Sequence, residues 1–357
     1  MEFLPMRRPT FAAALNDVRA KGRDARLAAA ERLSSPPEGQ RAEAERGLAI
    51  LADDPDPAVR EHALEGLGYL DAEGQLPLIL ARFEDGSPPV RQAAVIAAGR
   101  LGGEDAERAI REALESPHAD LRFQAVMSVA LLAPPDATVV IAKLLDDDDA
   151  EVRAHAAEAL GKLGDAGAAD TLAAVLDDED PEVQREAAFA LASLGDSRGV
   201  SQLIEALGKP ETAIAAAIAL GEIEAEEARE DLAAIAARFL LSPLMRAAVG
   251  GALCRLSDPR GVIALGAALG AMRSDGRGLA AETIGELRIV ELAEDLAALA
   301  TRPRGTDPVV VAIALGRLAK DSAVAKDALM AMAATAQDEE AAQAARDAQE
   351  ALETSEN

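Results

Sequence analysis

The chain has 357 residues, half of them hydrophobic and 2% aromatic, with 63 Asp and Glu against 36 Lys and Arg and a formal charge of −27. That balance disfavours free nucleic acid and an anionic membrane surface as partners, since both are held by lysine- and arginine-rich grooves that release counterions. Cys254 is the single cysteine, which excludes an internal disulfide, and no stretch is long and apolar enough to cross a bilayer; a soluble, cytoplasmic protein without membrane insertion is expected.

Residues 1–23 read as an N-terminal capping segment, with Phe3, Leu4 and Met6 beside Arg7 and Arg8 and no apolar run of signal-peptide length. A first helix follows at Ala25-Arg26-Leu27 and Glu31-Arg32-Leu33. Ser34-Ser35-Pro36-Pro37 breaks it before a second helix from Gln40 to Leu51. A strict period then begins: Val59-Arg60, Val90-Arg91, Leu121-Arg122, Val152-Arg153 and Val183-Gln184 are each 31 residues apart. Fixed periods of this size mark stacked units that cannot bury their apolar faces alone.

Within each unit the apolar columns give two amphipathic helices. Ala63, Ala94, Ala125, Ala156 and Ala187 precede Leu67, Ala98, Val129, Leu160 and Leu191 by four residues, and Leu70, Leu101, Leu132, Leu163 and Leu194 follow three later. That spacing is one stripe of a helix. Ile79, Ile110, Ile141, Leu172 and Leu203 supply the second helix, with Phe83, Leu114, Leu145, Leu176 and Leu207 four residues on. Asp56-Pro57, Ser87-Pro88 and Asp180-Pro181 predict an N-cap followed by proline at the first helical position. Gly68, Gly102, Gly164 and Gly195 predict left-handed caps between the two helices. The small column Gly68, Gly99, Ala130, Gly161, Ala192 and Gly221 predicts a close approach of helices.

Leu220, Leu253, Ile284 and Leu315 carry the core column onward, so about ten pairs are expected over residues 24–335 in one elongated array on the order of 100 Å long. Residues 336–357 read as an acidic helix that frays into a disordered tail, with seven carboxylates against Arg346 over 338–356. The predicted fold is all-α: a right-handed superhelical solenoid of about ten stacked antiparallel helix pairs.

The stretches DAEVRAHAAEALGKLGD, Asp149 to Asp165, and DPEVQREAAFALASLGD, Asp180 to Asp196, resemble HEAT repeats, specifically the short bacterial HEAT-like repeats of the phycobilisome-lyase type. The resemblance covers most of the chain. It implies the solenoid and leaves function open, because that family contains scaffolds, lyases and enzyme subunits. It also implies a ladder in which Arg60, Arg91, Arg122 and Arg153 reach an acidic group in an adjacent turn.

Charge is uneven. Residues 1–52 hold nine Lys or Arg and seven Asp or Glu, a balance of +2 that leaves −29 for the rest. Acidic clusters fall at equivalent turns, at 53–56, 146–149 and 177–180, which predicts an acidic edge. Two readings of that edge stand. Its carboxylates cap helices and serve the ladder, or the surplus ones, Asp54, Asp147, Asp148, Asp178 and Glu179, attract a basic protein segment or a divalent cation. The calcium-loop pattern is missing its glycine, so no metal is expected.

Second helices of such arrays line the inner, concave surface. Their exposed positions, Arg108, Glu112, Lys143, Asp170, Gln202 and Glu205, form a polar face suited to an extended segment or a helix. The chain lacks H-E-x-x-H, P-loop and G-x-S-x-G patterns. His62 and His155 share one repeat position, His118 stands in a turn, and Cys254 lies beside a core column. A non-enzymatic scaffold or adaptor without cofactor, holding a protein partner, is therefore expected. The alternatives are a lyase-type or enzyme-associated subunit, and self-assembly through a terminal repeat.

Overall fold

The structure is a computed structural model that describes residues 9–272, 275–302, 305–336 and 338–356. Expectations placed on Phe3, Leu4, Met6, Arg7 and Arg8 lie outside the described residues. Among the described residues every regular element is helical. After α1 (Phe11–Asp17), helices follow in pairs: α2 (Arg23–Leu33) with α3 (Arg41–Leu51), α4 (Pro57–Tyr69) with α5 (Leu76–Ala81), α6 (Pro88–Leu101) with α7 (Glu104–Ala113), α8 (Ala119–Leu132) with α9 (Ala137–Ala142), and α10 (Ala150–Leu163) with α11 (Ala169–Ala174). Next come α12 (Pro181–Ser193) with α13 (Val200–Ala206), α14 (Ala213–Glu222) with α15 (Arg229–Ala236), α16 (Pro243–Arg255) with α17 (Arg260–Leu269), α18 (Arg277–Glu286) with α19 (Ala293–Thr301), and α20 (Pro308–Leu318) with α21 (Ala323–Thr335). A last helix, α22 (Glu339–Glu356), follows. Two compact units divide the chain, Met1–Ala190 and Leu191–Asn357.

Helix starts follow local chemistry. Asp56 accepts the Ala58 N–H at 3.0 Å and Asp180 accepts that of Glu182 at 2.7 Å, each ahead of a proline at the first helical position. Ser87 differs, because its side chain caps nothing. Pro88 and Pro89 remove the first two amide hydrogens of α6, and the Ser87 N–H is itself taken by Asp85 at 3.0 Å.

The first two core columns are sealed: Ala63 to Ala187 and Leu67 to Leu191 are buried in every repeat. So are the second-helix residues from Ile79 to Leu203. Each buried Leu, Ile or Val side chain of these columns contributes about 1.5–3 kcal/mol by leaving water, and each alanine less. The third column departs from expectation, since Leu70, Leu101, Leu163 and Leu194 are only half-buried and Leu132 is exposed. The cause is backbone geometry one residue later. Asp71, Gly102, Ala133, Gly164 and Gly195 all have positive φ, between 44° and 75°, so the chain turns away before the stripe is complete. Gly68, predicted as a cap, lies inside α4 and Asp71 takes the left-handed role. Glu224, Ser257 and Arg288 do the same in the second unit. Five of these eight left-handed residues are not glycine, a conformation that costs an L-residue about 1–2 kcal/mol.

First helices stack directly on one another within each unit. A Cβ on Gly161 would lie 2.8 Å from the Ala190 Cα, one on Gly221 would lie 2.6 Å from the Ala252 Cα, and one on Gly285 would lie 2.7 Å from the Ala314 Cα. Gly68 meets the Ala97 Cα at 3.0 Å. Gly99 is different: its nearest neighbour would be the Ser128 Oγ at 3.7 Å, an ordinary contact. At this position the α6–α8 step is therefore looser than the α4–α6 and α10–α12 steps.

In the first unit, α1 packs against α2 and α3 with Phe11 and Ala14 buried. In the second, α22 packs on α20 and α21, burying Ala341 and Ala345, and Gly316 faces Ala348. The C-terminal segment is thus helical as far as Glu356, held by the same small-residue contact as a first helix, where sequence alone predicted fraying.

Three substitutions separate these effects in urea denaturation. Gly161→Ala forces α10 off α12 and is expected to cost about 1–3 kcal/mol. Gly99→Ala finds room and gains helix propensity, for an increase of about 0.5–1 kcal/mol. Ala133→Gly relieves a left-handed residue, and a net gain of about 0.5–1 kcal/mol remains after the entropy returned to the unfolded chain.

Candidate functional site

The turns of the first unit are tied by a row of arginines that start in the first turns of the first helices. Each guanidinium reaches back to the carbonyl six residues earlier: Arg60 to Asp54 at 2.8 Å, Arg91 to Asp85 at 2.7 Å, Arg122 to Ser116 at 2.8 Å and Arg153 to Asp147 at 2.7 Å. Its other edge donates two parallel hydrogen bonds to one carboxylate of the following turn. Arg60 holds Asp85 at 2.7 and 2.9 Å, Arg122 holds Asp147 at 2.6 and 2.6 Å, and Arg153 holds Asp178 at 2.8 and 2.9 Å. Arg91 holds Asp120 at 2.6 and 3.0 Å, because Ser116 stands where the other turns carry aspartate. Arg26 makes the same bonds to Asp54 at 2.5 and 2.9 Å. Its place seven residues before Leu33 matches that of Arg60 before Leu67, which is the signal by which sequence would have added it.

Each of the rung aspartates 54, 85, 147 and 178 also accepts the N–H two residues on. Burial pushes the Asp54, Asp85 and Asp147 carboxyls up, but hydrogen bonds from Arg26, Arg60 and Arg122 together with those amides outweigh it, leaving all three below the ordinary range. The bond from Arg153 does the same for Asp178.

This geometry corrects the acidic-edge reading for three residues. Asp54, Asp147 and Asp178 are largely withdrawn from solvent and spent on arginines, so they are not surplus charge. Asp148 is exposed, and Glu179 is 92% exposed with only a 4.0 Å contact to Arg153. Asp146 and Asp177 are exposed beside them.

The second-helix residues stand apart from one another. Arg108 pairs within its own helix with Asp105 at 2.5 Å, Glu112 is exposed one turn further along α7, Lys143 is exposed just after α9, and Asp170 is exposed on α11. Gln202 and Glu205 belong to the second unit, where Glu205 meets Lys209 at 3.5 Å and Gln202 is half-buried.

The arginine row changes in the second unit. Arg246 donates to the carbonyls of Ala236 and Arg238, and the fully buried Arg277 donates to the Thr306 Oγ1 at 3.0 Å and the Ala271 carbonyl at 2.5 Å. Cys254 is half-buried in the small-residue column, and burial pushes its thiol up to about 11, away from thiolate chemistry. His62 and His155 each bond the carbonyl four residues back in their own helices. Among the described residues no three metal-ligating side chains converge, and no helix is long and apolar enough to cross a membrane.

Sequence reasoning placed recognition on the second helices and overlooked the exposed face of the first. A groove of about 540 Å³ opens there between α6 and α8 and reaches α10. Ile96, Met127, Leu131 and Leu132 form its apolar walls, Gly99, Ser128 and Ala130 its floor, and Arg100 and Lys162 its cations. Leu131 is 87% exposed. Arg100 lies 4.3 Å over the Tyr69 ring. The columns were readable, since Tyr69, Arg100, Leu131 and Lys162 are 31 residues apart, but their exposure depends on how the helices stack.

Stacked helix pairs, tied turn to turn and sealed by aliphatic columns, define an all-α solenoid of the helical-repeat class. HEAT repeats match residues 44–121, 107–180 and 169–238, more than half of the chain. The chain belongs to the HEAT-repeat family. Among solved structures, importin beta has a TM-score of 0.50 at 16% identity, covering 95% of this chain and 52% of that one. The complex of CpcE and CpcF of phycocyanin lyase from Nostoc sp. PCC7120 has a TM-score of 0.48 at 23% identity, covering 65% and 95%. Human deoxyhypusine hydroxylase has a TM-score of 0.33 at 24% identity, covering 71% and 99%. At these identities the likeness is one of fold. No curated protein matches the chain.

The rungs and the edge respond differently to mutation. Arg122→Ala leaves Asp147 without its charged donor and is expected to cost about 1.5–3 kcal/mol in urea denaturation, whereas Asp148→Asn stays within about 0.5 kcal/mol. Rung carboxyls sit lower in the folded than in the unfolded chain, so their stabilisation is complete above about pH 5 and is lost as pH falls through the folded values. Denaturation midpoints between about pH 3 and 7 are expected to fall at the acid end, and less steeply in Asp147→Asn.

Proposed function

We propose that the chain is a non-enzymatic protein-binding scaffold, with the acidic edge of its first unit and the neighbouring second-helix face holding a basic segment of a partner protein. One observation supports this above the others. The ladder arginines are saturated by their own aspartates, so Asp146, Asp148, Asp177 and Glu179 remain exposed on equivalent turns as charge that the fold does not use. Repeated carboxylates at one repeat spacing attract a cationic segment over a distance set by the Debye length and select against acidic competitors. The second-helix positions Arg108, Glu112, Lys143 and Asp170 supply mixed polar contacts in the same unit, as HEAT solenoids offer to segments laid over several repeats.

The test is capture of proteins from native lysate on the immobilised chain, at low and at physiological salt. Recovery of a partner that is lost at high salt is expected. The combined variant Asp148→Asn, Asp177→Asn and Glu179→Gln, with unchanged circular dichroism, is expected to lower recovery roughly tenfold. Equal recovery by that variant would remove the edge from the reading, and no recovery at either salt would remove the scaffold.

A further inference from the structure

We propose that the groove across α6, α8 and α10 is a second docking site, of opposite polarity to the edge, which takes an acidic amphipathic helix of a partner protein. It lies on the other helical layer and does not depend on the edge binding anything.

Three observations carry the occupant's chemistry. The groove lies over an open contact between α6 and α8: a Cβ on Gly99 would meet the Ser128 side chain at 3.7 Å and the Ile110 Cδ1 at 3.8 Å, while Gly68 and Gly161 bring their neighbours to backbone contact. Its volume lies inside the about 300–1,000 Å³ range of binding pockets. Second, its walls are apolar and open to solvent, with Leu131 87% and Ile96 40% exposed, which is surface that a partner's aliphatic side chains would cover. Third, among the described residues no carboxylate lines it, although the chain has 63 Asp and Glu. Its charged lining consists of Arg100 and Lys162.

Those two cations are available. Arg100 is parked on the Tyr69 ring and makes no ion pair among the described residues, and Lys162 holds only Glu158, four residues away on its own exposed helix surface. A partner carboxylate therefore replaces a weak local contact or water, and the apolar walls lower the dielectric around the new pair. The occupant is a helix because the described residues offer no strand edge to pair with an extended backbone, whereas a helix satisfies its own amides. Apolar anchors at i, i+3 and i+7 seat against Met127 and Leu131, and flanking carboxylates meet Arg100 and Lys162.

The test is fluorescence anisotropy on the full chain with a labelled helical peptide of about 18 residues, leucine on one face and glutamate on the other, and its twin with lysine for glutamate. The acidic peptide is expected to bind roughly tenfold or more tighter than the twin. Leu131→Glu, which alters an exposed side chain, and Gly99→Leu, which fills the floor, are each expected to weaken it roughly tenfold, with circular dichroism unchanged. The edge variant is expected to bind the acidic peptide undiminished, so failure of the edge and failure of the groove are distinct results. Equal binding of the two peptides, or no effect of either groove variant, would overturn the proposal. So would sedimentation showing a dimer dissolved by Leu131→Glu, which assigns the groove to a second copy, or Leu131-dependent binding to phosphatidylserine vesicles, which assigns it to lipid.

Discussion

One guanidinium per repeat fixes the geometry of the first unit. Each ladder arginine closes its own turn through a carbonyl six residues back and clamps an aspartate of the next turn with two parallel bonds. A planar fork suits this task and a lysine would not, since the two contacts lie on different edges of the group and must be made at once. The aspartate is in turn oriented by an amide two residues on. At the Asp54, Asp85, Asp147 and Asp178 rungs three pieces of backbone are thereby held in register, above the aliphatic columns that interlock beneath.

The clamp also decides what the surface can offer. Carboxylates that sequence counts as one acidic cluster divide into two populations: those spent on rungs, depressed in pKa and largely buried, and those left in water. Only the second population can attract a partner. On the first-helix side, spacing between helices plays the same sorting role. Where Gly68 and Gly161 face alanine the helices come to backbone contact; where Gly99 faces Ser128 the contact is wider, and apolar side chains reach solvent beside two cations. A chain of strong net negative charge thus presents surfaces of both polarities.

The repeat tolerates local strain to keep its shape. Asp71, Ala133, Glu224, Ser257 and Arg288 adopt the positive φ that glycine supplies at Gly102, Gly164 and Gly195. In these turns between paired helices the conformation is kept whatever residue is present, and burial of the columns on either side offsets the cost. For the same reason the leucine one residue earlier is pulled from the core, and Leu132 becomes part of a groove wall instead.

Sequence by itself determined the all-α class, the 31-residue period, the pairing of helices and the two sealed columns, because these follow from local periodicity that every repeat states again. It also marked Gly68, Gly99, Gly161 and Gly221 as points of close approach. It could not rank them, since whether a small residue meets backbone or open space depends on the helix opposite. It could not assign Asp54 and Asp147 to rungs while leaving Asp148 in water, nor see that α22 docks through Ala341 and Ala345. Those outcomes depend on pairwise distances between segments 25 or more residues apart, which only the packed tertiary structure decides.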